Sequence, residues 1–448
     1  MPVSTQSANT QTHIRLDAGA LAAALNTASQ RYAANNPNSQ RQFERAAQVL
    51  PGGNTRSVLF YPPFPLTITR GQGCHLWDAD GHEYVDFIAE FTAGIYGHSH
   101  PVIRKAIIEA LDTGINLGGH NLLEAKLAAL ICQRFGGMAQ LRFTNSGTEA
   151  NLMALAAAKL HTARTKIIAF KGGYHGGVLT FATGNHPVNV PHDFLLADYN
   201  QPSSVQALFD AHPGQIAAIL VEPMQGAGGC IVGQPDFLAA LRTLTRQHGA
   251  VLIFDEVMTS RLSCGGLQQT LGIQADLTTL GKYMGGGLPF GAFGGRQDIM
   301  AQFDPRNAAA TPHAGTFNNN VLSMAAGFAG LSQLYDEPAI DQLNALGDDL
   351  RGQLNALCRA HRLALQFTGA GSIMNLQAGT HAIRSINDLV SEHHLVKDLF
   401  FFHMLAHGIY LARRGLVVLS LPITDTHVQQ FLYAFQSFAE HCASLLKP

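Results

Sequence analysis

Between about Leu141 and Gly294 the chain repeats one pattern: a short aliphatic run, a polar or glycine-rich stretch, then a longer helical segment. Leu141-Arg-Phe-Thr144 leads into Asn145-Ser-Gly-Thr-Glu149 and an Ala/Leu-rich helix through His161. Lys166-Ile-Ile-Ala-Phe170 runs into Lys171-Gly-Gly-Tyr-His-Gly176, Ala218-Ile-Leu-Val221 ends at Glu222-Pro223, and Val251-Leu-Ile-Phe254 ends at Asp255-Glu256. The cores of these runs are aliphatic rather than alternating, as in strands covered on both faces. Strand–helix repetition of this kind predicts an α/β domain with a mainly parallel central sheet. Ligands bind such sheets outside the carboxyl ends of the strands. Every strand end here carries polar residues, so chemistry is expected there.

The flanks read differently. Leu21 to about Gln48 is helical, and Pro51 to Pro65 is rich in Pro, Gly and Asn. After Tyr335 come two helical stretches (about 338–361 and 385–407), short strand-like runs including Gly415-Leu-Val-Val-Leu-Ser420, and a terminal helix. The expected organisation is an N-terminal segment (1–90), a large α/β domain (91–335) and a C-terminal segment (336–448), the two ends together building a smaller α+β domain. Of the 448 residues 46% are hydrophobic and 13% charged, against roughly 25% charged in an average soluble domain, which excludes bulk disorder. A net charge of −2 offers no basic excess for a phosphate backbone, so nucleic acid is not expected as a partner. Apolar runs such as Ala217-Ala-Ile-Leu-Val221 are far short of the ~20 residues a bilayer requires. The six cysteines are scattered without a CxxC pair, so neither a zinc site nor a disulfide framework is expected. The first ten residues are polar and lack the apolar stretch of a secretory signal, which points to a frayed tail and a reducing cytoplasm. A surface this poor in charge also suits burial against a second copy.

Seven of the eight lysines sit in helical or edge settings that suit a solvated surface; Lys282 does not. Its context, Asp276-Leu-Thr-Thr-Leu-Gly-Lys-Tyr-Met-Gly-Gly-Gly287, is an apolar run broken by glycines that let backbone approach a ligand closely. A buried lysine loses pKa by desolvation and becomes an amine nucleophile. Asp255 follows four apolar residues at a strand end: it either caps the next helix or holds a proton on a heterocyclic nitrogen. Ser146-Gly-Thr148 lies between a strand and a helix, as an ordinary N-cap or as a phosphate site. Tyr174 could stack on a planar cofactor, with His175 beside it as a structural or functional histidine. No GxGxxG, GxxxxGK[ST] or HExxH motif follows a strand. His98-Ser-His100 lacks partner ligands nearby in sequence, so no metal is expected and both histidines are read as solvated.

Taken in order, Asn145-Ser-Gly-Thr-Glu-Ala150, Tyr174-His-Gly176, Val221-Glu-Pro223, Phe254-Asp-Glu-Val257, Leu277-Thr-Thr-Leu-Gly-Lys282 and Gly315-Thr316 resemble the class III aminotransferases, pyridoxal-phosphate enzymes of fold type I, over roughly residues 40–435. The resemblance implies pyridoxal 5′-phosphate as cofactor and a large domain plus a smaller one. It implies that Lys282 bonds the cofactor's aldehyde and that Asp255 partners its ring nitrogen. Tyr174 and Val257 would cover the two ring faces, and Ser146, Gly147 and Thr148 would form the phosphate cup. His175 and Glu222 join the same cofactor set. Thr316 would reach the phosphate of a neighbouring subunit's cofactor, which implies a homodimer with sites at the interface.

The stretch Leu277 to Gly295 is similar to the glutamate-1-semialdehyde aminomutase branch, with two departures. After Asp255-Glu-Val-Met-Thr259 that branch continues Gly-Phe-Arg, where this chain has Ser260-Arg261-Leu262; after Gly315-Thr316 it has Ser-Gly-Asn-Pro, where this chain has Asn318-Asn-Asn-Val321. Both departures, with Arg56-Ser-Val-Leu-Phe-Tyr61 and Arg414-Gly-Leu-Val-Val-Leu-Ser-Leu-Pro422, look like the β-amino-acid aminotransferase branch. There an arginine at the position of Arg56 holds the β-amino acid's carboxylate and one at Arg414 serves the keto acid. A guanidinium grips a carboxylate through two parallel hydrogen bonds, though adjacent Arg413 competes for the second role. The expected activity is transfer of an amino group from an aromatic, β-phenylalanine-like β-amino acid to a 2-oxo acid such as 2-oxoglutarate or pyruvate. The alternative is the aminomutase reaction.

Overall fold

The computed structural model describes residues 17–115, 117–389 and 393–446; the polar N-terminal tail read from the sequence lies outside them. Seven strands form the central sheet in the spatial order Gln140–Thr144, Gly291–Gly295, Leu277–Gly281, Val251–Asp255, Ile216–Val221, Lys166–Phe170, Asp193–Ala197. Gly291–Gly295 runs antiparallel to both its neighbours, and the other four pairings are parallel. The aliphatic runs supply both faces, because successive side chains on a strand point opposite ways. Ile168, Ile219, Val221, Leu252 and Phe254 join one buried cluster with Phe237 and Leu241 of the helix Pro235–His248. Ile167, Ala218, Leu220, Val251 and Ile253 join another with Ala154 and Ala158 of the helix Gly147–Thr162. The parallel strands end together, so the loops after them open on one side of the sheet.

The chain's two ends meet. Ile68–Gln72, His75–Asp78 and Glu83–Asp86 form an antiparallel meander, and Ile409–Tyr410 joins its last strand in parallel. A second sheet comprises Leu365–Ala370, Ile373–Ala378 and Leu416–Val418. The long helix Glu337–Ala360 and the terminal helix Asp425–His441 contribute Leu350, Leu354, Phe435 and Phe438 to the core shared with these sheets. The single helix expected from Leu21 to about Gln48 is two: Ala18–Asn35 and Pro37–Ala47. Pro37 has no N–H to continue the first helix and starts the second, where a missing N–H costs nothing.

Candidate active site

Five loops at the carboxyl ends of the sheet bring the expected residues together. The strand Val251–Asp255 ends with Asp255 buried. One carboxylate oxygen, Oδ2, accepts from Asn151 Nδ2 (2.8 Å) and lies 2.8 Å from His175 Nδ1; Oδ1 accepts from the backbone N–H of Val257 (3.0 Å). Asn151 also donates to the His175 carbonyl (3.0 Å), and its Oδ1 accepts from Thr279 Oγ1 (2.7 Å). One helical asparagine thus ties the Asp255 strand to the His175 loop and to the strand that ends at Lys282. Burial pushes the His175 pKa down, but the hydrogen bond to Asp255 and the charges of Asp255 and Glu222 outweigh it and leave it raised. His175 therefore sits against Asp255 as its hydrogen-bonded partner and holds the carboxylate in place.

Lys282 follows directly on the strand Leu277–Gly281, with φ of +56°. Burial pushes its ammonium down to about 8, against the pull of Asp255 and Glu222 and with the help of Arg414 and Arg261. Glu222, next to the strand Ile216–Val221, is raised to about 7 by burial. Its two oxygens accept from the backbone N–H groups of Tyr174 (2.9 Å) and Gly226 (3.0 Å). Glu222 thus holds the Tyr174 loop in place. Gln225 likewise serves backbone, donating to the Lys171 carbonyl (2.9 Å). Tyr174 is 48% exposed.

The helix Gly147–Thr162 begins on Ser146, whose Oγ accepts from the Glu149 N–H (3.2 Å). The amides of Gly147 and Thr148 in that first turn have no partner within the helix. A Cβ on Gly147 would meet Val257 Cγ2 at 2.8 Å, and one on Gly176 would meet Thr148 Oγ1 at 2.1 Å. Glycine is what lets these loops close around the helix start. Small residues, unpartnered amides at a positive helix end, a deprotonatable amine and a buried carboxylate suit an anionic, aromatic aldehyde cofactor.

The two candidate arginines converge from opposite ends of the chain. The guanidinium carbons of Arg56 and Arg414 lie 5.4 and 5.3 Å from the centre of the same ring, Phe91. Arg413 is taken: its Nε and Nη2 reach the two oxygens of Asp398 at 2.6 and 2.5 Å. Arg414 has no carboxylate within ion-pair distance among the described residues, and burial lowers its pKa despite the opposing influence of Cys230, Tyr174 and Glu222. Of the two adjacent arginines, left open in the sequence, Arg413 is the one engaged by a carboxylate. Thr316 is exposed on its own chain, beside Asn318, whose Oδ1 accepts from Asn145 Nδ2 (3.0 Å).

His98 and His100, expected to be solvated, are only partly exposed and are held locally: His98 Nε2 lies 2.9 Å from Asp86 Oδ2, and His100 Nδ1 accepts from the Val102 N–H (3.3 Å) as a helix cap. Both are fixed by local hydrogen bonds, which histidine makes as readily as it makes water contacts. Among the described residues Cys74, His75 and His427 bring ligand atoms within 4.8 Å of one another, although no CxxC spacing announced them. His427 Nδ1 already accepts from the Thr424 N–H (3.1 Å), capping the terminal helix. Sequence reasoning also missed Asn151. Its signal was a polar residue inside an Ala/Leu-rich helix, where asparagine is disfavoured unless its side chain has a partner.

The class-III aminotransferase family model matches residues 60–438, and the chain belongs to that family; its cofactor is pyridoxal phosphate. More particularly, it is 57% identical over 423 residues to the beta-phenylalanine transaminase of Variovorax paradoxus, covering 94% of this chain and 97% of that one. A solved structure of a beta-phenylalanine aminotransferase from Variovorax paradoxus superposes with a TM-score of 0.94 at 57% identity, covering 95% of this chain and 99% of that one. A glutamate-1-semialdehyde 2,1-aminomutase of Sorangium cellulosum is 38% identical over 84% of this chain and 89% of its own length. The expected α/β, fold type I architecture stands. No helix of the described residues is long and apolar enough to cross a membrane.

Proposed function

We propose that this aminotransferase moves the amino group of an aromatic β-amino acid, of the β-phenylalanine type, to a 2-oxo acid such as 2-oxoglutarate or pyruvate. The observation that carries the reading is the 57% identity, over nearly the whole chain, to a beta-phenylalanine transaminase. The pair of arginines packed against Phe91 supports it. Bound pyridoxal phosphate supplies an aldehyde that condenses with amines and a ring that draws electrons from the carbon losing its proton. Lys282 would hold that aldehyde through its Nζ, and the same Nζ, when free, would carry the proton between the reacting carbons. Asp255, fixed by His175 and Asn151, would hold a proton on the ring nitrogen. Tyr174 and Val257 fix the ring plane, and Ser146, Gly147 and Thr148 hold the phosphate through first-turn amides and hydroxyls. Glu222 acts through the Tyr174 backbone. Arg56 receives the donor's carboxylate and Arg414 the acceptor's.

The same reading includes a homodimer. Ile108, Leu111, Ile115, Leu117, Leu122 and Phe317 are exposed on and around the helices Pro101–Thr113 and Leu122–Arg134, Leu122 at 85%. Asn121 donates to the Asn319 carbonyl (2.8 Å), which binds the Phe317 segment to this face. An apolar face of this kind favours a second copy, to whose cofactor phosphate Thr316 would then reach. A cytoplasmic enzyme divided at about residues 90 and 335 completes the proposal.

The test is an absorbance titration of cofactor-loaded protein with β-phenylalanine alone. Loss of the visible band, reversed by 2-oxoglutarate or pyruvate, is the expected result. A band that stays put removes the donor assignment. The 38% identity to an aminomutase supports the second reading, which conversion of glutamate-1-semialdehyde without added keto acid would favour.

A further inference from the structure

Four consecutive non-glycine residues, Ala89, Glu90, Phe91 and Thr92, have φ of +42°, +47°, +52° and +81°. L-residues avoid this left-handed region, and a run of four persists only where its surroundings over-determine it. Asp86 does so: its Oδ1 accepts from the N–H groups of Ile88 (2.8 Å) and Ala89 (2.9 Å), and its Oδ2 is held by His98 (2.9 Å). The Gly94 N–H closes the turn on the Ala89 carbonyl (2.8 Å). Strain of this kind collects at functional sites. What this turn presents is Phe91, against which both arginines pack, and Glu90, whose carboxylate pairs with Arg56.

The two arginines are therefore not equivalent. Arg414 has no carboxylate within ion-pair distance among the described residues, whereas Arg56 already holds one. We infer that Glu90 is a built-in stand-in for the donor's carboxylate: it neutralises Arg56 in the resting enzyme and is displaced when a β-amino acid binds. This rests on the reading of Arg56 as the donor's anchor. A carboxylate that must displace Glu90 binds less tightly than Arg56 alone would allow, while the acceptor meets an arginine with no such rival. Glu90 is thus a positioning and selectivity residue, setting donor affinity separately from acceptor affinity.

Steady-state kinetics of the Glu90→Gln holoenzyme test this, with β-phenylalanine as donor and 2-oxoglutarate as acceptor. The donor KM should fall about two- to fivefold, the effect range of an exposed ion pair, with the acceptor KM unmoved. An aromatic primary amine lacking a carboxylate should show no change, and Glu90→Asp should stay near the parent. In an Arg56→Ala background the Gln substitution should have no effect on donor KM, as coupling through one partner requires. A donor KM that rises in Glu90→Gln would make Glu90 a simple brace for Arg56 and overturn the inference. If Arg56→Ala raises the donor KM but Glu90→Gln leaves it unchanged, the stand-in fails and the anchor survives. If Arg56→Ala leaves the donor KM unchanged, both fall.

Discussion

Asp255 pulls the Lys282 pKa up while burial pushes it down, and burial wins. Lys282→Ala should abolish transamination between β-phenylalanine and 2-oxoglutarate; residual turnover near the parent rate would remove its role. Only the free-base amine attacks an aldehyde, and Lys282 titrates at about 8. Uptake of pyridoxal phosphate by the cofactor-free protein should therefore accelerate with rising pH, with a midpoint near 8, as followed by stopped-flow absorbance. The His175 pKa is raised in the folded state above an unfolded value of about 6.5. Its contribution to stability is then full below that unfolded value and lost as pH rises through the folded one. Urea unfolding of cofactor-free His175→Gln across pH 5 to 9 should show that part of the slope removed. At the substrate end, Arg414→Ala should raise the KM for 2-oxoglutarate by on the order of tenfold or more, from the loss of about 1.5–3 kcal/mol of charged hydrogen bonding.

The glycine loops that close on the helix start make their own prediction. Gly176 has φ of +130°, and a Cβ there would lie 2.1 Å from Thr148 Oγ1. Gly176→Ala should destabilise the protein by roughly 1–3 kcal/mol, as overpacking does, and weaken cofactor retention, read by thermal unfolding and by dialysis of the coloured enzyme. The motif loops and aliphatic strands were legible because their sequence periods and strand-end chemistry are local. The strand Gly291–Gly295 was not, since Gly-Ala-Phe-Gly-Gly lacks strand propensity. Its glycines are required by contact: a Cβ on Gly291 would lie 2.1 Å from the Ser146 carbonyl oxygen, and one on Gly295 would lie 2.0 Å from that of Asp276. The left-handed turn at Ala89–Thr92 was equally invisible, because nothing in Ala-Glu-Phe-Thr favours positive φ; the Asp86 carboxylate imposes it. The partner of Arg413, and hence the assignment of Arg414, likewise depends on Asp398 arriving from another helix.

At the scale of the whole molecule, the apolar face around Leu122 is where a second copy is expected. Leu122→Asp with Ile108→Asp should shift the enzyme toward monomer in light scattering and reduce its activity, because Thr316 would no longer serve a neighbouring site. A dimer unchanged by both substitutions would place the interface elsewhere. The pairing of Glu83–Asp86 with Ile409–Tyr410 bears on how the enzyme is made. Asp255 and Lys282 leave the ribosome more than a hundred residues before Arg414. The residues assigned to chemistry are therefore synthesised first, while the two arginines assigned to substrate choice can meet at Phe91 only once the last tenth of the chain has emerged and folded back onto its first fifth. A nascent or truncated chain would hold the reactive amine without the means to select what reaches it.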